Sequence, residues 1–373
     1  MECKTLACSL LFLLASSTTS AHQVQIGVLG LFHPREITLS AANSEALVVT
    51  AGESEFVFEP GRRAELARIA VSQGGLVLEF SGHSVYAAEI RATGRDRGSS
   101  SFFLGVPGKI SRKYQGTLAV KVIDGEVAPV VTMDLETAVA SVVAAESEQA
   151  TPLEALKAQA IVTRSYFLAS KGRHRDFDFC DATHCQFLRE PPVPGSPPAV
   201  AALATRGLVI LFDQKPVAAM FTRSCGGHTQ TPAQLGISSV SYPYYSVLCD
   251  ACYRSPVRWT RGISEQDAAR LIGKGEAGRL AVDRRLGWNA VPSNTFEVKR
   301  EGHEVILEGK GQGHGIGLCQ RGARSMAEGG AGLRDILNHY FPNTTLGKSS
   351  QGSAAPNALV SDIKSKQSRS SSL

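Results

Sequence analysis

Glu146 stands where a helical apolar stripe should continue. Asp134 is a natural N-cap, and Met133 before it can act as a staple residue. Leu135, Val139, Val142 and Val143 then recur at helical spacing, and Glu146 follows three residues after Val143. Its side chain is expected on the core-facing stripe near the helix C-terminus, with Glu148 pointing away. Partial burial and the negative end of the helix dipole both disfavour an ionised carboxyl. A carboxyl so placed can keep its proton near neutrality, the state a general acid needs. The competing account is a buried Glu satisfied by an Arg or by backbone donors.

A second constellation is the loop holding His174, Cys180, His184 and Cys185. Two imidazoles and two thiolates make a tetrahedral zinc set, closed and therefore structural, with one zinc expected per chain. Two other accounts stay open, a Cys180–Cys185 disulfide and a catalytic cysteine. Cys225, Cys249, Cys252 and Cys319 are expected to form two disulfides of unassigned pairing. The short "CDAC" spacing also admits a redox or metal role, with His228 as an extra ligand candidate. "GQGHGIG" is Gly-rich but lacks the Lys-Ser/Thr of a phosphate loop. Its glycines suit close backbone approach or a tight turn. His314 and Gln320 there can offer hydrogen bonds to a ligand, or His314 can simply be satisfied within a turn.

These residues need elements to hold them. Thr151-Pro152-Leu153-Glu154 reads as a capping box with Pro at the first helical position, opening a second helix. Leu153, Leu156, Ala160 and Phe167 line one face of it. Lys157 and Arg164 lie nearly on one face, either as a solvated surface or as cations toward Glu146 and an anionic ligand. Before these helices, from Gln23 to about Val131, short alternating runs such as "EALVVTAG", "SEFVFEP" and "GLVLEF" predict strands. Asp124-Gly125 predicts a hairpin between Tyr114 and Met133. Later runs predict a helix at "AVAALATRG", strands at "LVILFD", "FEVKREG" and "EVILEGK", and a helix at "LRDILNHYF". The fold class is α+β, a β-rich N-terminal region followed by a mixed core, rather than a regular βαβ alternation.

The 373 residues are 43% hydrophobic and 20% charged, ordinary globular composition with room for one large or two smaller domains. A net charge of +5 is compatible with an acidic polymer as partner. No Lys/Arg run with interleaved aromatics occurs, which argues against nucleic acid. The start, "MECKTLACSLLFLLASSTTSAH", reads as a secretory signal cut after Ala21, too short for a stable membrane span. Export implies a secreted, periplasmic or cell-wall-associated protein, and six cysteines outside the leader then favour disulfides. The expected division is 1–21 signal peptide, 22–113 β-rich domain, 114–346 core domain and 347–373 Ser-rich disordered tail.

Several of these motifs, in order, carry a family resemblance. "VVAAESEQATPLEALKAQAIVTRSYFLA", "CDATHCQ", "SCGGHT", Trp259 and "GQGHGIGLCQRGA" resemble the SpoIID/LytB family over roughly Tyr114 to Pro342. The resemblance implies a lytic transglycosylase acting on peptidoglycan glycan strands, with Glu146 as the single catalytic acid and base. It implies cleavage between N-acetylmuramic acid (MurNAc) and N-acetylglucosamine (GlcNAc), leaving 1,6-anhydro-MurNAc ends, with stem peptides absent in some cases. Lys157, Arg164, Ser224, His314 and Gln320 are the expected substrate contacts. The His174, Cys180, His184 and Cys185 set matches a structural zinc found in some members. Family members commonly have Met-Pro after the acid, where Ser147-Glu148 stand here, and often Tyr where Arg321 stands. A different class of function also fits: a non-catalytic cell-wall binder that recruits or stimulates an amidase.

Overall fold

The computed structural model of the chain describes residues 22–42, 45–60, 66–235, 242–271, 287, 289–301 and 304–349. The expected signal segment, 1–21, lies outside them, as does the expected tail from residue 350 on. No helix among the described residues is long and apolar enough to cross a membrane.

The N-terminal strands are β1 (Gln23–Gly27), β2 (Glu36–Ala41), β3 (Leu47–Ala51), β4 (Ser54–Phe58), β5 (Ala67–Ser72), β6 (Gly75–Phe80), β7 (His83–Ala87), β8 (Ile90–Thr93), β9 (Ser100–Val106), β10 (Ile110–Ile123) and β11 (Glu126–Asp134). Their side chains alternate as period-2 patterning requires. Along β11, Val127, Val131 and Met133 face the core while their neighbours are half-exposed. The expected hairpin is present: Ile123 pairs with Glu126, and Asp124 and Gly125 take φ values of 50° and 79° at the turn.

β10 is the organising strand. Its first half, 110–116, pairs with β9, and its second half pairs with β11 on one edge and β8 on the other. The sheet thereby wraps into a nearly closed barrel. The expected domain division at 113/114 falls inside this strand, and the core on both sides of it is continuous, from Val24 to Phe179.

The helices α1 (Leu135–Glu146) and α2 (Leu153–Ala169) follow directly. Asp134 Oδ1 accepts from the N–H groups of Glu136 and Thr137, at 2.9 and 3.3 Å, which fixes the start of α1. Leu135, Val139, Val142 and Val143 are all buried. The expected capping box at Thr151 is corrected. Pro152 is the N-cap of α2, Thr151 Oγ1 donates to the Glu148 carbonyl, and the Glu154 carboxylate instead accepts from Lys157 and the Leu333 N–H.

α2 is apolar on more than one face because it separates two cores. Leu156, Ala160 and Phe167 join the barrel core; Ala155, Ala158, Ile161 and Val162 join a second, C-terminal core. The next two elements, β12 (Phe179–Cys180) and α3 (Pro197–Ala204), return to the barrel side, where Phe179, Ala201 and Ala202 are buried. β13 (Leu208–Phe212), β14 (Lys215–Pro216), β15 (Phe221–Thr222) and α4 (Asp250–Arg254) then turn to the second core, which buries Ile210, Val217 and Cys252. Next come β16 (Arg258–Ile263), α5 (Glu265–Leu271), β17 (Phe296–Glu301) and β18 (Glu304–Lys310). Trp259 closes a small core on this three-stranded sheet, its Nε1–H donating to Ser293 Oγ at 3.1 Å. The last described elements are β19 (Leu318–Cys319), α6 (Gln320–Glu328), α7 (Leu333–Tyr340) and β20 (Thr345–Lys348). Leu318, Ala323, Ile336 and Leu337 from these complete the second core. β20 pairs with β13, so ordered structure runs past the expected tail boundary at 346/347.

Candidate functional site: a cleft around Glu146

Glu146 is the last residue of α1, and the chain leaves the helix at once, with Ser147 extended at the C-cap. Glu148 therefore does not point away as a continued helix would require. Both carboxylates line one cleft. Thr151, Ala155 and Gln159 of the following turn and helix complete the near wall. Arg223, from the segment after β15, forms the far wall with Leu318, Gln320, Arg321, Ala323 and Arg324.

The far wall grips the backbone at the end of α1. Arg223 Nη1 and Gln320 Nε2 donate to the Glu146 carbonyl, at 3.1 and 3.2 Å, satisfying a helix-end acceptor. The Glu146 carboxyl itself makes no hydrogen bond or ion pair among the described residues. Burial pushes it up to about 7, against the pull of the Arg223 and Arg189 guanidinium groups. Glu148 is its opposite, exposed and engaged by Arg223 at 3.5 Å and Arg324 at 3.2 Å.

An Arg-held Glu does occur in this molecule, but at half-buried Glu136. Arg164 is fully buried and clamps Glu136 with two bonds, of 2.8 and 2.6 Å, while donating to the Leu208 and Ala202 carbonyls. The expectation of Arg164 as a substrate contact is therefore corrected: its guanidinium is enclosed and ties α1, α2, α3 and β13 together. Lys157 is half-buried against Glu154 at 2.7 Å and is not among the cleft-lining residues. Ser224 is likewise corrected. It is buried, with Oγ 3.4 Å from Cys252 Sγ. His314 also stands outside the cleft lining, its Nδ1 accepting from the Ile316 N–H at 3.0 Å. Gln320 alone of the five expected contacts lines the cleft.

The glycines of "GQGHGIG" serve close backbone packing. Gly317 has φ 74°, and a Cβ there would collide with the Met220 carbonyl oxygen as β15 and β19 run side by side. Sequence reasoning missed Arg223. A signal for Arg223 was present, since it is the charge in "VAAMFTRSCGG", an otherwise apolar and small run.

His174, Cys180, His184 and Cys185 do come together, their ligand atoms all within 4.8 Å of one another. His174 Nε2 lies 3.3 Å from Cys185 Sγ, and His184 Nδ1 lies 3.5 and 3.8 Å from Cys185 and Cys180 Sγ. Tetrahedral zinc with ordinary bond lengths sets its ligand atoms ~3.3–3.8 Å apart, so the donor set fits. The loop is moored by Asp181, which accepts from the Leu29 N–H at 3.1 Å and from Arg112 at 3.3 Å.

Residues 124–212 match the family described as SpoIID, Stage II sporulation protein. Among curated proteins, an uncharacterised protein of Brachyspira hyodysenteriae is 28% identical over 262 residues, 61% of this chain and 71% of that protein. Stage II sporulation protein D of Bacillus amyloliquefaciens is 28% identical over 255 residues, 56% of this chain and 72% of that protein. The amidase enhancer of Bacillus subtilis is 41% identical over 61 residues, 16% of this chain and 9% of that protein.

Proposed function

On the footing that the chain belongs to the SpoIID/LytB family, we propose that it is a cell-wall lytic transglycosylase cleaving peptidoglycan glycan strands between MurNAc and GlcNAc. The observation that carries this reading is a half-buried carboxyl with no hydrogen-bonding partner among the described residues, held near neutral titration in an open cleft. Protonated Glu146 donates its proton to the glycosidic oxygen as the bond from the MurNAc anomeric carbon breaks. The carboxylate then takes the proton of the same sugar's 6-hydroxyl while that oxygen attacks the anomeric carbon. A 1,6-anhydro end forms, no water is consumed, and Glu146 regains its proton. One carboxyl suffices because the nucleophile comes from the substrate, unlike the carboxylate pair of ordinary glycosidases. Glu148, occupied by two arginines, is not required.

The far wall supports the choice of ligand. Arg321 presents a cation on the far wall, beside Arg223 and Arg324, which already pair with Glu148, and suits the lactyl carboxylate of a MurNAc stripped of its stem peptide. In this reading the His174, Cys180, His184 and Cys185 set holds a structural zinc, four protein ligands leaving no position for substrate. The site belongs to a secreted or periplasmic protein working on the wall.

A second reading rests on the similarity to the amidase enhancer: a wall-binding protein that stimulates an amidase without cutting glycan. Incubation with purified glycan strands lacking stem peptides, followed by mass spectrometry, separates the two. Anhydro-ended fragments from the natural protein, and none from folded Glu146→Gln, are the expected result. Strand binding with intact strands would favour the second reading, and reducing ends without anhydro ends would overturn the transglycosylase mechanism.

A further inference from the structure

Cys225, Cys249, Cys252 and Cys319, expected as two disulfides, converge on one point. All four are buried, at 0–3% exposure, and their Sγ atoms lie within 4.8 Å of one another. Cys252 and Cys319 Sγ are 3.5 Å apart. They come from separate places: the loop after β15, the two ends of "CDAC" at the start of α4, and the residue before α6. A tetrahedral zinc with bonds of about 2.3 Å places its sulfurs ~3.8 Å apart, inside this range. Iron–sulfur clusters seat their thiolates on different irons, which spreads the sulfurs more widely, so a single ion suits the compact set better.

The surroundings are built to receive negative sulfur. The Cys225 and Gly322 N–H groups both donate to Cys319 Sγ at 3.4 Å. The buried Tyr340 hydroxyl donates to Cys249 Sγ at 3.4 Å, and Ser224 Oγ lies 3.4 Å from Cys252 Sγ. Cys319 is also the N-cap of α6, where the helix dipole favours a thiolate. Gly322 leaves room for the group, because a Cβ there would strike both Tyr340 Oη and Cys249 Sγ. Donors aimed at several sulfurs of one cluster are the outer shell of a thiolate metal site.

We infer that Cys225, Cys249, Cys252 and Cys319 form a structural four-thiolate site for one divalent zinc-like ion, distinct from the His174, Cys180, His184 and Cys185 set. The site lies directly behind the far wall of the cleft. Cys225 is two residues from Arg223, and Cys319 precedes Gln320, the two residues that grip the Glu146 carbonyl. Binding releases the thiol protons and leaves the metal's oxidation state unchanged, so no oxidant is needed.

The test uses the chain with His174→Ala and Cys185→Ala, purified under reducing conditions without added metal and assayed by elemental analysis. One retained zinc per chain, lost on adding Cys252→Ser and Cys319→Ser, is the expected result. A folded His174→Ala/Cys185→Ala chain carrying no metal would overturn the inference. So would two disulfides mapped among the four cysteines in the natural chain. If the variants do not fold, the natural chain is loaded with cobalt(II) instead. Intense sulfur-to-cobalt charge transfer with tetrahedral d–d bands, from a second cobalt of four-thiolate character, supports the site. Signal from a mixed imidazole–thiolate centre alone overturns it.

Discussion

One wall of the cleft comes from a single stretch, Glu146 to Gln159, while the wall facing it joins Arg223 to the segment Leu318–Arg324. The near wall carries the half-buried Glu146 carboxyl and takes its shape from two consecutive helices with an immediate turn. The far wall carries the arginines, and its members depend on tertiary contact for their positions. Arg223 and the Glu146 carbonyl it holds are 77 residues apart, and the Cys225 N–H and Cys319 Sγ behind them 94. The carboxyl thus sits where the chain is local, and the arginines where it must be assembled.

Breaking the near wall should do the most. Glu146→Gln is expected to cut glycan cleavage by ~10²–10⁴-fold while the protein folds. Its stability carries the sign opposite to that of a Glu held ionised by an Arg. Unfolded, the carboxyl titrates near its ordinary 4.5; folded, near 7. Stability from this group is therefore complete at low pH and declines as pH rises between those values, because the fold disfavours the charge. Glu146→Gln should melt like the natural protein at pH 4 and at a higher temperature at pH 8, by scanning calorimetry. Natural activity should fall as pH rises through about 7, measured as anhydro-end release across pH.

Breaking the far wall should do less and do it differently. Cys319→Ser is expected to lower cleavage by less than Glu146→Gln does, since it removes a thiolate ligand behind the far wall rather than the acid, together with a drop in melting temperature. Equal loss of activity with unchanged melting would count against a supporting role for the cysteines. Arg223→Ala sharpens the comparison further. It removes a cation that opposes the raised titration of Glu146, so the alkaline limb of the pH–rate profile should move up, with glycan binding weakened. Smallest of all, Lys157→Ala should cost at most ~0.5 kcal/mol, the worth of an i,i+3 helix pair, with cleavage unchanged.

The same division governs what could be read in advance. The apolar stripe leading to Glu146, the Asp124-Gly125 hairpin and the His174–Cys185 cluster are encoded within short windows, where periodicity, turn chemistry and ligand spacing act directly. Arg164 was misread because a charge on a helix ordinarily faces water. Its burial follows from α2 lying between two cores, which no local window contains. Glu148 was misread because the direction of its side chain depends on α1 stopping at Glu146. The four distant cysteines looked like disulfide partners because spacing alone cannot show that all four meet.

The two-residue strand Phe179–Cys180 lies parallel to β1 and caps that border of the barrel sheet, with Ile26 opposite Phe179 and Gly27 opposite Cys180. Its last residue belongs to the His/Cys cluster. Losing whatever fastens that cluster would loosen the cap and uncover unpaired peptide groups along β1, a template for edge-to-edge association. Chelator treatment should therefore be followed by oligomers or precipitate in light scattering.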